Sequence, residues 1–445
     1  MSSPGLRAEA ARILEMVIFS NRTIDWIEAK FPDTLAEPAT RFLVMETLRN
    51  ILGLRAILDS FLRRPLKPSQ QLIYTLMLVG AYKLVVAKDP AYAAINETVE
   101  ACNVLKQPWA KGLVNGVLRS VERSDRSFES DIQQAISSHW LNQRLRNQYP
   151  LVYKRLEKAN LSQAPMTLRV NQSRISVDAY RHKLSEAGLD YETTEIPEAL
   201  RLKHAVKAVE LPGWRNGEVA IQDLGGQFAA HILIGNLRSK PDAVADTGRS
   251  VRFLDACAAP GGKLCHYLDI AGQRNSRVDE LAVEISPRRS ETMRALCQRL
   301  AVSPNVITAD AGSLNWWDGT PFDQILLDAP CSGTGTIRRH PEIQLQLTEA
   351  QITSHSSRQL ELLHNLWRML AHGGTLLYCT CSLLEEENDQ VIAAFIHQQE
   401  SEKPTVNSLN LPLGQATRYG WQLTPVDAST DGFYYSSLTK ASIRQ

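Results

Sequence analysis

Residues 252–263 read R-F-L-D-A-C-A-A-P-G-G-K, and the second half of the chain is best interpreted outward from this stretch. Phe253 and Leu254 are typical of the end of a buried strand, after which Asp255 leads into a tight loop of small residues. Glycine lacks a side chain and tolerates positive φ, so such a loop lets the backbone approach a ligand closely. A helix predicted over Lys263–Ile270 would direct the positive end of its dipole at that ligand. The alternative is an ordinary strand–turn–helix connection.

From this stretch onward, short apolar runs alternate with amphipathic segments. The apolar runs predict strands, and the helices predicted between them include Pro287–Leu300 and Thr348–Leu370. This alternation indicates a Rossmann-like domain, a doubly wound parallel sheet with helices on both faces. Ligands of such sheets bind at the carboxyl ends of the strands. The predicted strands are Val251–Leu254, Glu280–Val283, Asn305–Thr308, Gln324–Leu327 and Thr375–Tyr378.

Acidic residues end four successive predicted strands: Asp255, Glu284, Asp310 and Asp328. Glu284 follows the glycines by about twenty residues, where an acid can accept hydrogen bonds from ribose hydroxyls. The loop matches neither G-x-G-x-x-G nor G-x-x-x-x-G-K-[ST], which disfavours a dinucleotide or a triphosphate. A nucleoside without phosphate suits the acids better. S-adenosylmethionine is therefore the predicted cofactor, since its sulfonium is attracted to carboxylates.

Two cysteines follow neighbouring strands of the predicted sheet. Cys331 lies in D-A-P-C-S-G-T-G at 328–335, and Cys381 lies shortly after the fifth strand. We expect both thiols to face one cleft beside Asp328. Methylation of an amine needs no nucleophile from the protein, whereas carbon 5 of a pyrimidine reacts only after a thiolate has added to carbon 6. The pair indicates pyrimidine carbon-5 methylation, in which a second basic group removes the carbon 5 proton.

Other interpretations of the cysteines are a zinc site and inert core thiols. Cys379 and Cys381 could contribute to a zinc site, but no second Cys/His pair at ligand spacing stands nearby, and we expect no metal. We interpret Cys102, Cys265 and Cys297 as inert core thiols, together with Cys379, which we expect on the opposite side of its strand from Cys381. Seven cysteines scattered over a long chain do not resemble a disulfide framework, and reduced thiols in a cytoplasm are expected.

The chain before this domain predicts helices nearly throughout, from Met1 to about Trp140, with no catalytic constellation. Its most apolar run, Leu72–Val86, is too short to span a bilayer and contains Lys83, which indicates a buried helix. The 49 basic and 48 acidic residues nearly cancel, so any attraction to nucleic acid must come from a local patch.

The sequence of 445 residues divides into four predicted parts. The second part, a linker at 141–164, is rich in basic residues, among which stand Tyr149 and Tyr153. This pattern is typical of a surface that follows an RNA backbone, although a solvated linker helix fits equally well. Leu237–Ser250 is polar and indicates a surface loop or insertion. The parts are a helical domain at 1–140, the linker at 141–164, a small α/β subdomain at 165–236 and a catalytic domain at 237–445.

Several motifs resemble the RNA cytosine-5 methyltransferases of the Sun/Fmu family. In the first half, Ala94–Val99 and Leu113–Arg119 look like the best-marked helices of the NusB-like RNA-binding domain of that family. The resemblance covers nearly all of the chain and implies a NusB-like head followed by an S-adenosylmethionine-dependent enzyme. The other motifs are L-D-A-C-A-A-P-G-G-K (254–263), D-A-P-C-S-G-T-G (328–335), I-R-R-H-P-E-I (337–343), T-C-S-L-L-E-E-E-N (380–388) and the closing strands at 431–440.

The resemblance implies roles at the matching positions. Cys381 would attack carbon 6, and Cys331 would assist elimination and release of the product. Asp328 would hold the base through its ring nitrogen, with Lys263 in the same polar network. The implied substrate is one cytosine of 16S ribosomal RNA, free or in a partly assembled small subunit, and a monomer is expected. The S-adenosylmethionine pocket would be lined by Cys257, Ala258, Ala259, Pro260, Gly261, Gly262, Lys263, Glu284, Asp310 and Asp328.

The sequence departs from the family pattern at a few positions and leaves alternatives open. Glu284 stands where aspartate is common, Leu264 where threonine is usual and Gly225 where serine is usual. One alternative makes Cys331 the nucleophile, as in the DNA cytosine-5 enzymes, and another makes tRNA or 23S ribosomal RNA the substrate. An alternative of another class is a catalytically silent RNA-binding protein, against which the intact acids and thiols argue.

Overall fold

The computed structural model describes residues 3–124, 127–238, 250–399, 403–427 and 429–442. The chain divides into a helical unit, Met1–Gln163 with Ile337–Leu347, and an α/β unit, Ala164–Thr336 with Thr348–Gln445. The residues 239–249, most of the loop predicted at Leu237–Ser250, lie outside the described residues. Within the described ranges, no helix has both the length and the hydropathy that crossing a bilayer requires.

Helices make up the first unit, as the sequence predicts. Their boundaries follow local signals: the side chain of Thr23 accepts the N–H of Trp26 and caps the second helix, and Pro38 begins the third. The apolar run forms the fifth helix and a π-helical turn at Tyr82–Val86. The helices are α1 Ser3–Phe19, α2 Ile24–Lys30, α3 Pro38–Arg49, α4 Ile51–Phe61, α5 Gln71–Ala81, α6 Ala91–Val104, α7 Lys111–Glu122, α8 Glu129–Ser138, α9 Trp140–Gln148 and α10 Tyr153–Asn160.

Arg7 of α1 connects this helix to α6 through buried hydrogen bonds. Its guanidinium donates to the carbonyl oxygen of Ala94 at 2.5 Å, to Oγ1 of Thr98 at 2.6 Å and to Oε2 of Glu97 at 2.6 Å. Burial lowers the pKa of Arg7, and the charge of Glu97 opposes that shift. All three acceptors belong to the stretch Ala94–Val99, so a motif that resembles an RNA-binding domain also holds the bundle together.

The basic linker forms α9 and α10, but its tyrosines do not lie on the surface. Tyr149 and Tyr153 are 8% and 3% exposed, respectively. The guanidinium of Arg146 lies 4.9 Å from the centre of the Tyr153 ring. The prediction that these rings are interleaved with basic side chains on a surface is wrong, because the amphipathic helices direct the rings into the core. Lys154 and Lys158 are exposed.

Ile337–Leu347, which includes the whole I-R-R-H-P-E-I motif, belongs to the helical unit. Oε1 of Glu342 accepts the N–H of Ile24, the first residue of α2, at 3.0 Å. The guanidinium of Arg49 donates to the carbonyl oxygen of Arg338 at 3.0 Å and 3.2 Å. Order along the chain does not predict this arrangement, because the segment stands far in sequence from the helices that it contacts.

The second unit begins with a small antiparallel sheet. Its order is β2-β3-β1-β4 in the part of the chain that the structure describes, and Tyr180 and Leu184 of the helix α11 pack in its apolar core. The third strand is absent from the sequence prediction, since four residues show too little periodicity. The elements are β1 Met166–Val170, α11 Val177–Glu186, β2 Tyr191–Thr193, β3 Ala199–Leu202 and β4 Val219–Ile221.

The large sheet contains the five predicted strands, which pair in parallel in the order β9-β8-β5-β6-β7. The strand β13 adds to β9 in the antiparallel direction, so the complete sheet is mixed. Central strands are buried on both faces, as parallel sheets require. The strands are β5 Val251–Ala256, β6 Val278–Glu284, β7 Asn305–Thr308, β8 Phe322–Asp328, β9 Leu370–Thr380, β10 Thr405–Asn407, β11 Gln415–Ala416, β12 Trp421–Leu423 and β13 Phe433–Thr439.

The helices of this unit connect the strands and begin close to the predicted positions. The glycine loop leads directly into α13, and Ser286 caps α14 by accepting the N–H of Arg289. The five parallel strands run in the same direction, so their carboxyl ends lie at one edge of the sheet. These helices are α12 Leu224–Arg238, α13 Gly262–Gln273, α14 Pro287–Arg299, α15 Glu349–Met369 and α16 Asp389–Gln398.

Packing explains two departures from the family pattern. A Cβ atom at Gly225 would lie 2.4 Å from Oγ1 of Thr430, and the carbonyl oxygen of Gly225 accepts the hydroxyl of Tyr435. A serine there would require the neighbouring side chain to move. Leu264 is fully buried in α13, where an apolar side chain fits better than a hydroxyl.

Glu198 connects α12 and α13 through two histidines. Its Oε1 accepts hydrogen bonds from Nε2 of His231 at 2.7 Å and from Nε2 of His266 at 2.8 Å. Burial would raise the pKa of Glu198, but the bonds from both rings outweigh it and lower that pKa. Burial and the nearby charge of Arg169 lower the pKa of His266 to about 3. His266 is therefore neutral at physiological pH.

Substitution of Arg7 tests the bond between α1 and α6. We expect Arg7→Leu to lower the free energy of unfolding of the helical unit by about 2 kcal/mol, because three charged hydrogen bonds between α1 and α6 are lost. Urea unfolding measures the change, and hydrogen exchange of α1 and α6 amides localises it. Arg12→Leu is the comparison, since Arg12 is more exposed, pairs with Glu9 and makes one long hydrogen bond to α6, at 3.5 Å to the carbonyl oxygen of Val104. Equal losses of unfolding free energy from both substitutions would contradict the role of Arg7 in joining α1 to α6.

The neutral state of His266 predicts an acid-dependent loss of stability. Its pKa is lower in the folded than in the unfolded chain, so the unfolded chain binds more protons and stability falls as the pH drops below about 6.5. With a folded pKa of about 3, the loss at pH 5 is about 2 kcal/mol relative to pH 8. Urea unfolding at a series of pH values should show a flatter slope for His266→Gln. The exposed His204→Gln should retain the slope of the unsubstituted chain.

Candidate active site

A cavity of about 360 Å³ opens at the carboxyl ends of the parallel strands. Each strand contributes the residues at or just after its end, so side chains far apart in sequence meet there. Two helices, α14 and α15, close its sides with one arginine each. The lining residues are Cys257, Ala259, Val283, Glu284, Ile285, Arg289, Asp310, Ala311, Asp328, Ala329, Pro330, Cys331, Arg358, Leu362 and Cys381.

The structure brings most of the predicted site residues together, but not the end of the glycine loop. Both predicted thiols and the acids Glu284, Asp310 and Asp328 line the cavity, as do Cys257 and Ala259. The predicted cofactor residues that do not line it are Ala258, Pro260, Gly261, Gly262 and Lys263.

Packing, rather than approach to a ligand, explains Gly261 of this loop. Gly261 has a φ of +97°, and a Cβ atom there would lie 2.7 Å from Cγ of Met293 on α14. The carbonyl oxygen of Gly262 accepts a hydrogen bond from Arg169 at 2.6 Å. The loop therefore needs glycine to turn and to pack closely against the helix.

Asp255 is the one strand-end acid that does not face the cavity. It lies within β5, is 1% exposed, and neither carboxyl oxygen has a hydrogen-bond partner among the described residues. Burial raises its pKa well above the ordinary value, and the charge of Asp328 adds to the shift. The expectation of four acids at one ligand edge is therefore wrong for Asp255, because β5 continues to Ala256 and holds this side chain inside the core.

Glu284 is held at the end of β6 by the backbone. It accepts the N–H of Ala259 at 3.3 Å and the N–H of Ser286 at 3.0 Å. Arg289 of α14 lies 3.6 Å from the same carboxylate and donates to the carbonyl oxygen of Ala259 at 2.8 Å. The glycine loop and α14 thus share one polar anchor, and the carboxylate forms part of the cavity wall.

Asp310 has a similar partner in Arg358 of α15. The guanidinium of Arg358 donates to Oδ1 of Asp310, which also accepts the N–H of Gly312 at 2.8 Å. Arg289 and Arg358 are functional candidates that the sequence motifs do not predict, since both lie on helices outside the motifs. The position of Arg289 three residues after the helix cap Ser286 is the one local signal that points to it.

The two thiols of the cavity lie in contact. Sγ of Cys331 is 3.4 Å from Sγ of Cys381. The parallel pairing of β8 with β9 places Asp328 opposite Cys379, so the loops that leave these strands start side by side. The structure agrees with the prediction that strands four and five are neighbours.

Cys379 is not on the opposite side of the strand from Cys381. Both pack against the same apolar cluster, because residues two apart in a strand point to the same face. The expectation of opposite sides is wrong, since it counted the alternation incorrectly. Sγ of Cys379 donates to Oδ1 of Asp328 at 3.3 Å, so this thiol is buried but borders the site.

Lys263 is placed beneath the cavity by the first turn of α13. Its Nζ donates to Oδ2 of Asp328 at 2.5 Å. Burial alone would lower the pKa of Lys263, but the carboxylate of Asp328 outweighs it and raises that pKa. The ammonium therefore stays charged over the physiological range and provides a permanent positive charge next to Asp328.

The pair of thiols is electrostatically asymmetric. The hydrogen bond with Cys331 lowers the pKa of Cys381; burial and the charge of Asp328 oppose this shift, and the charge of Lys263 supports it. The same hydrogen bond, together with burial, raises the pKa of Cys331 well above its ordinary value. The arrangement favours a thiolate at Cys381 and a protonated thiol at Cys331.

The side chains that line the cavity fit a nucleoside better than a phosphate. Glu284 and Asp310 offer carboxylate oxygens to hydroxyl groups, and Ile285 and Leu362 provide apolar walls for a flat base. Both arginines of the lining already pair with these acids. S-adenosylmethionine, with its ribose, adenine and sulfonium, has the groups that such a lining recognises.

One group among the described residues has the ligand types and spacing of a cation site. The donor atoms of Glu198, His231 and His266 lie within 4.8 Å of one another. Both rings already bond to one oxygen of Glu198, and the buried Arg169 adds positive charge nearby. Hydrogen bonding thus accounts for the cluster, and it does not line the cavity.

Three family models match successive regions of the chain. Residues 243–439 match the family of 16S rRNA methyltransferase RsmB/F. Residues 138–209 match the ferredoxin-like domain of the RsmF/B-like methyltransferases, and residues 7–123 match the NusB family. The matched regions contain most of the helical head, three strands of the small sheet and all residues that line the cavity.

Curated relatives match almost the whole chain. Ribosomal RNA small subunit methyltransferase B of Pseudomonas syringae pv. tomato is 36% identical over 411 residues, which cover 90% of this chain and 88% of the relative. The protein of the same name from Xanthomonas campestris pv. campestris is 36% identical over 445 residues and covers 98% and 97%.

Solved structures show the same fold at lower identity. The crystal structure of PH0851 has a TM-score of 0.80 at 20% identity and covers 99% of both chains. The structure of NSun6 from Pyrococcus horikoshii has a TM-score of 0.57 at 20% identity, with 68% of this chain and 98% of that chain covered. From its near full-length relatives, the chain belongs to the family of ribosomal RNA small subunit methyltransferase B.

Proposed function

We propose that this chain methylates carbon 5 of a cytosine in 16S ribosomal RNA, with Cys381 as the nucleophile. The observation that carries the proposal is the contact of two thiols, 3.4 Å apart, in the cavity that Asp328 also lines. A methyltransferase that acts on nitrogen or oxygen has no use for such a pair. A pyrimidine enzyme needs one thiol to attack and a second group to finish the reaction.

Asp328 and Lys263 prepare the site for the base. The cytosine leaves its stack to enter the cavity, and Asp328 binds it through its ring nitrogen. The ammonium of Lys263, 2.5 Å from the carboxylate, holds Asp328 in place and favours the thiolate of Cys381. Sγ of Cys381 then adds to carbon 6, which makes carbon 5 nucleophilic.

Cys331 completes the reaction after carbon 5 has been methylated. Its thiol lies within hydrogen-bond distance of Cys381 and hence close to the same ring. Cys331 assists removal of the carbon 5 proton and release of carbon 6 from Cys381, so the two thiols divide attack and elimination between them. The raised pKa of Cys331 disfavours it as the attacking group, and it makes the Cys331 thiolate, once its proton has been released, the stronger base for the carbon 5 proton.

In this proposal the cofactor binds in the part of the cavity that Glu284 and Asp310 line. S-adenosylmethionine supplies the methyl group when it is bound there. Glu284 binds the ribose hydroxyls, Asp310 binds a second polar group, and the loop at Cys257 and Ala259 borders the ligand. The side chains of Ile285 and Leu362 provide the apolar walls for the adenine of the cofactor.

The four predicted parts of the chain serve RNA in different ways. We assign RNA binding to the helical domain at 1–140 and to the small subdomain at 165–236, with the linker 141–164 offering the exposed cations Lys154 and Lys158. The catalytic domain at 237–445 provides the cavity. We propose that the protein acts as a monomer.

Substitution of each thiol separates attack from release. We expect Cys331→Ala to accumulate a denaturation-resistant adduct between the protein and 16S ribosomal RNA in the presence of S-adenosylmethionine, because release is impaired. Cys381→Ala should form no adduct and lose methylation by at least about 1,000-fold. Denaturing gel electrophoresis with labelled RNA measures both outcomes.

A cysteine outside the cavity provides the control. Cys102→Ala, in the helical unit, should methylate at the rate of the unsubstituted chain and accumulate no adduct. An adduct with Cys381→Ala and none with Cys331→Ala would make Cys331 the nucleophile. S-adenosylmethionine binding without methyl transfer to any RNA by the unsubstituted chain would favour a silent RNA-binding protein.

Glu284 provides a test of the cofactor site. We expect Glu284→Gln to weaken S-adenosylmethionine binding by about 10-fold, since a charged hydrogen bond to a ribose hydroxyl is worth about 1.4 kcal/mol more than a neutral one. Isothermal titration calorimetry measures the dissociation constant. Glu280→Gln is the control, because Glu280 lies on the same strand β6 and outside the cavity. Unchanged affinity of Glu284→Gln would exclude this placement of the ribose.

A further inference from the structure

Glu387 contacts the residue that follows each thiol. Its Oε1 accepts the N–H of Ser332 at 2.7 Å, and its Oε2 accepts the hydroxyl of Ser332 at 2.5 Å. The hydroxyl of Ser382 donates to the same Oε2. Ser332 comes directly after Cys331, and Ser382 comes directly after Cys381. One carboxylate therefore connects the two loops that carry the thiols.

The contacts of Glu387 are buried. Glu387 and Ser382 are 0% exposed, and Ser332 is 8% exposed. A buried carboxylate is costly unless donors surround it, so the carboxylate and the serines stabilise one another's positions. Burial raises the pKa of Glu387, and the hydrogen bonds from Ser332 and Ser382 oppose that shift.

Further hydrogen bonds connect Glu387 and the two serines to the strand β9. The hydroxyl of Tyr378 donates to the carbonyl oxygen of Glu387 at 2.5 Å. Oγ of Ser382 lies 3.3 Å from Oγ of Ser332 and 3.2 Å from Oγ1 of Thr334. Both loops are thus tied to each other and to a central strand through hydroxyl groups, none of which needs to contact a substrate.

We propose that Glu387 is a positioning residue for the reaction: by holding Ser332 and Ser382, it keeps the thiols of Cys331 and Cys381 within reach of the same cytosine. The inference rests on the proposed methyl transfer. Glu387 does not line the cavity, so it acts through the serines and not on RNA or cofactor. Carbon 5 and carbon 6 are adjacent ring atoms, so both thiols have to stay close together.

Kinetics of Glu387 variants provide the first test. We expect Glu387→Ala to lower kcat by about 100-fold, the cost of misplacing reactive groups by about 1 Å, while KM for RNA changes by less than about 2-fold. Glu387→Gln keeps an acceptor oxygen and should recover at least about a tenth of the unsubstituted rate. Glu385→Ala is the matched control, since Glu385 is exposed in the same motif. Equal kcat for Glu387→Ala and Glu385→Ala would overturn the proposal.

A combination of substitutions shows whether Glu387 acts through the serines. The double variant Ser332→Ala/Ser382→Ala removes both hydroxyl partners of the carboxylate. Adding Glu387→Ala to it should lower kcat by less than about 3-fold further, because residues of one network are not additive. A further loss of the full 100-fold would show that Glu387 acts by another route and would contradict the proposal.

Disulfide formation measures the distance between the thiols without methylation. Diamide takes two electrons and two protons from Cys331 and Cys381, forms the disulfide and becomes a hydrazine. We expect Glu387→Ala and Glu387→Gln to slow this reaction, by about 10-fold and about 3-fold, because the loops separate. Peptide mapping distinguishes this disulfide from one between Cys265 and Cys297, whose sulfur atoms lie 3.5 Å apart.

The two readouts separate this inference from the proposed function. Slower disulfide formation in an otherwise folded Glu387→Gln, with no methylation by the unsubstituted chain, would support positioning and reject the proposed function. An unchanged disulfide rate together with active unsubstituted enzyme would reject positioning alone. If Glu387→Ala fails to fold, the kcat and disulfide rate of Glu387→Gln decide between these outcomes.

Discussion

The parallel pairing of β8 with β9 is the constraint on which the rest of the site depends. It places Asp328 opposite Cys379, so the chain leaves the two strands at neighbouring points of one edge. The loops that follow can then bring Cys331 and Cys381 into contact, although fifty residues separate them. Parallel strands need a crossover, and α15 supplies it while contributing Arg358 to the cavity wall.

Four acids near this edge tolerate burial by different means. Asp255 has no hydrogen-bond partner in the described residues, and burial raises its pKa, which favours the neutral form. Asp328 is compensated by the ammonium of Lys263, and Glu284 by backbone N–H groups and Arg289. Glu387 is surrounded by hydroxyl and amide donors. Of these four carboxyl groups, only those of Asp328 and Glu284 line the cavity, where a ligand can contact them.

The segment Ile337–Leu347 belongs to the helical unit, which its sequence motif does not reveal. Within that unit, Glu342 accepts the N–H of Ile24, and Arg49 donates to the carbonyl oxygen of Arg338. Contacts between residues so distant in sequence have no local signal, since neither periodicity nor composition records a partner.

The sequence by itself determined the strand–helix alternation, the five parallel strands and the thiols and acids that end them, because hydrophobic periodicity and loop composition are local properties. Tertiary structure decided which of these residues meet. It buried Asp255, kept Gly261 for packing rather than for a ligand, and added Arg289 and Arg358 from helices. Strand order and register set those distances, and they follow from packing energies that the whole chain shares.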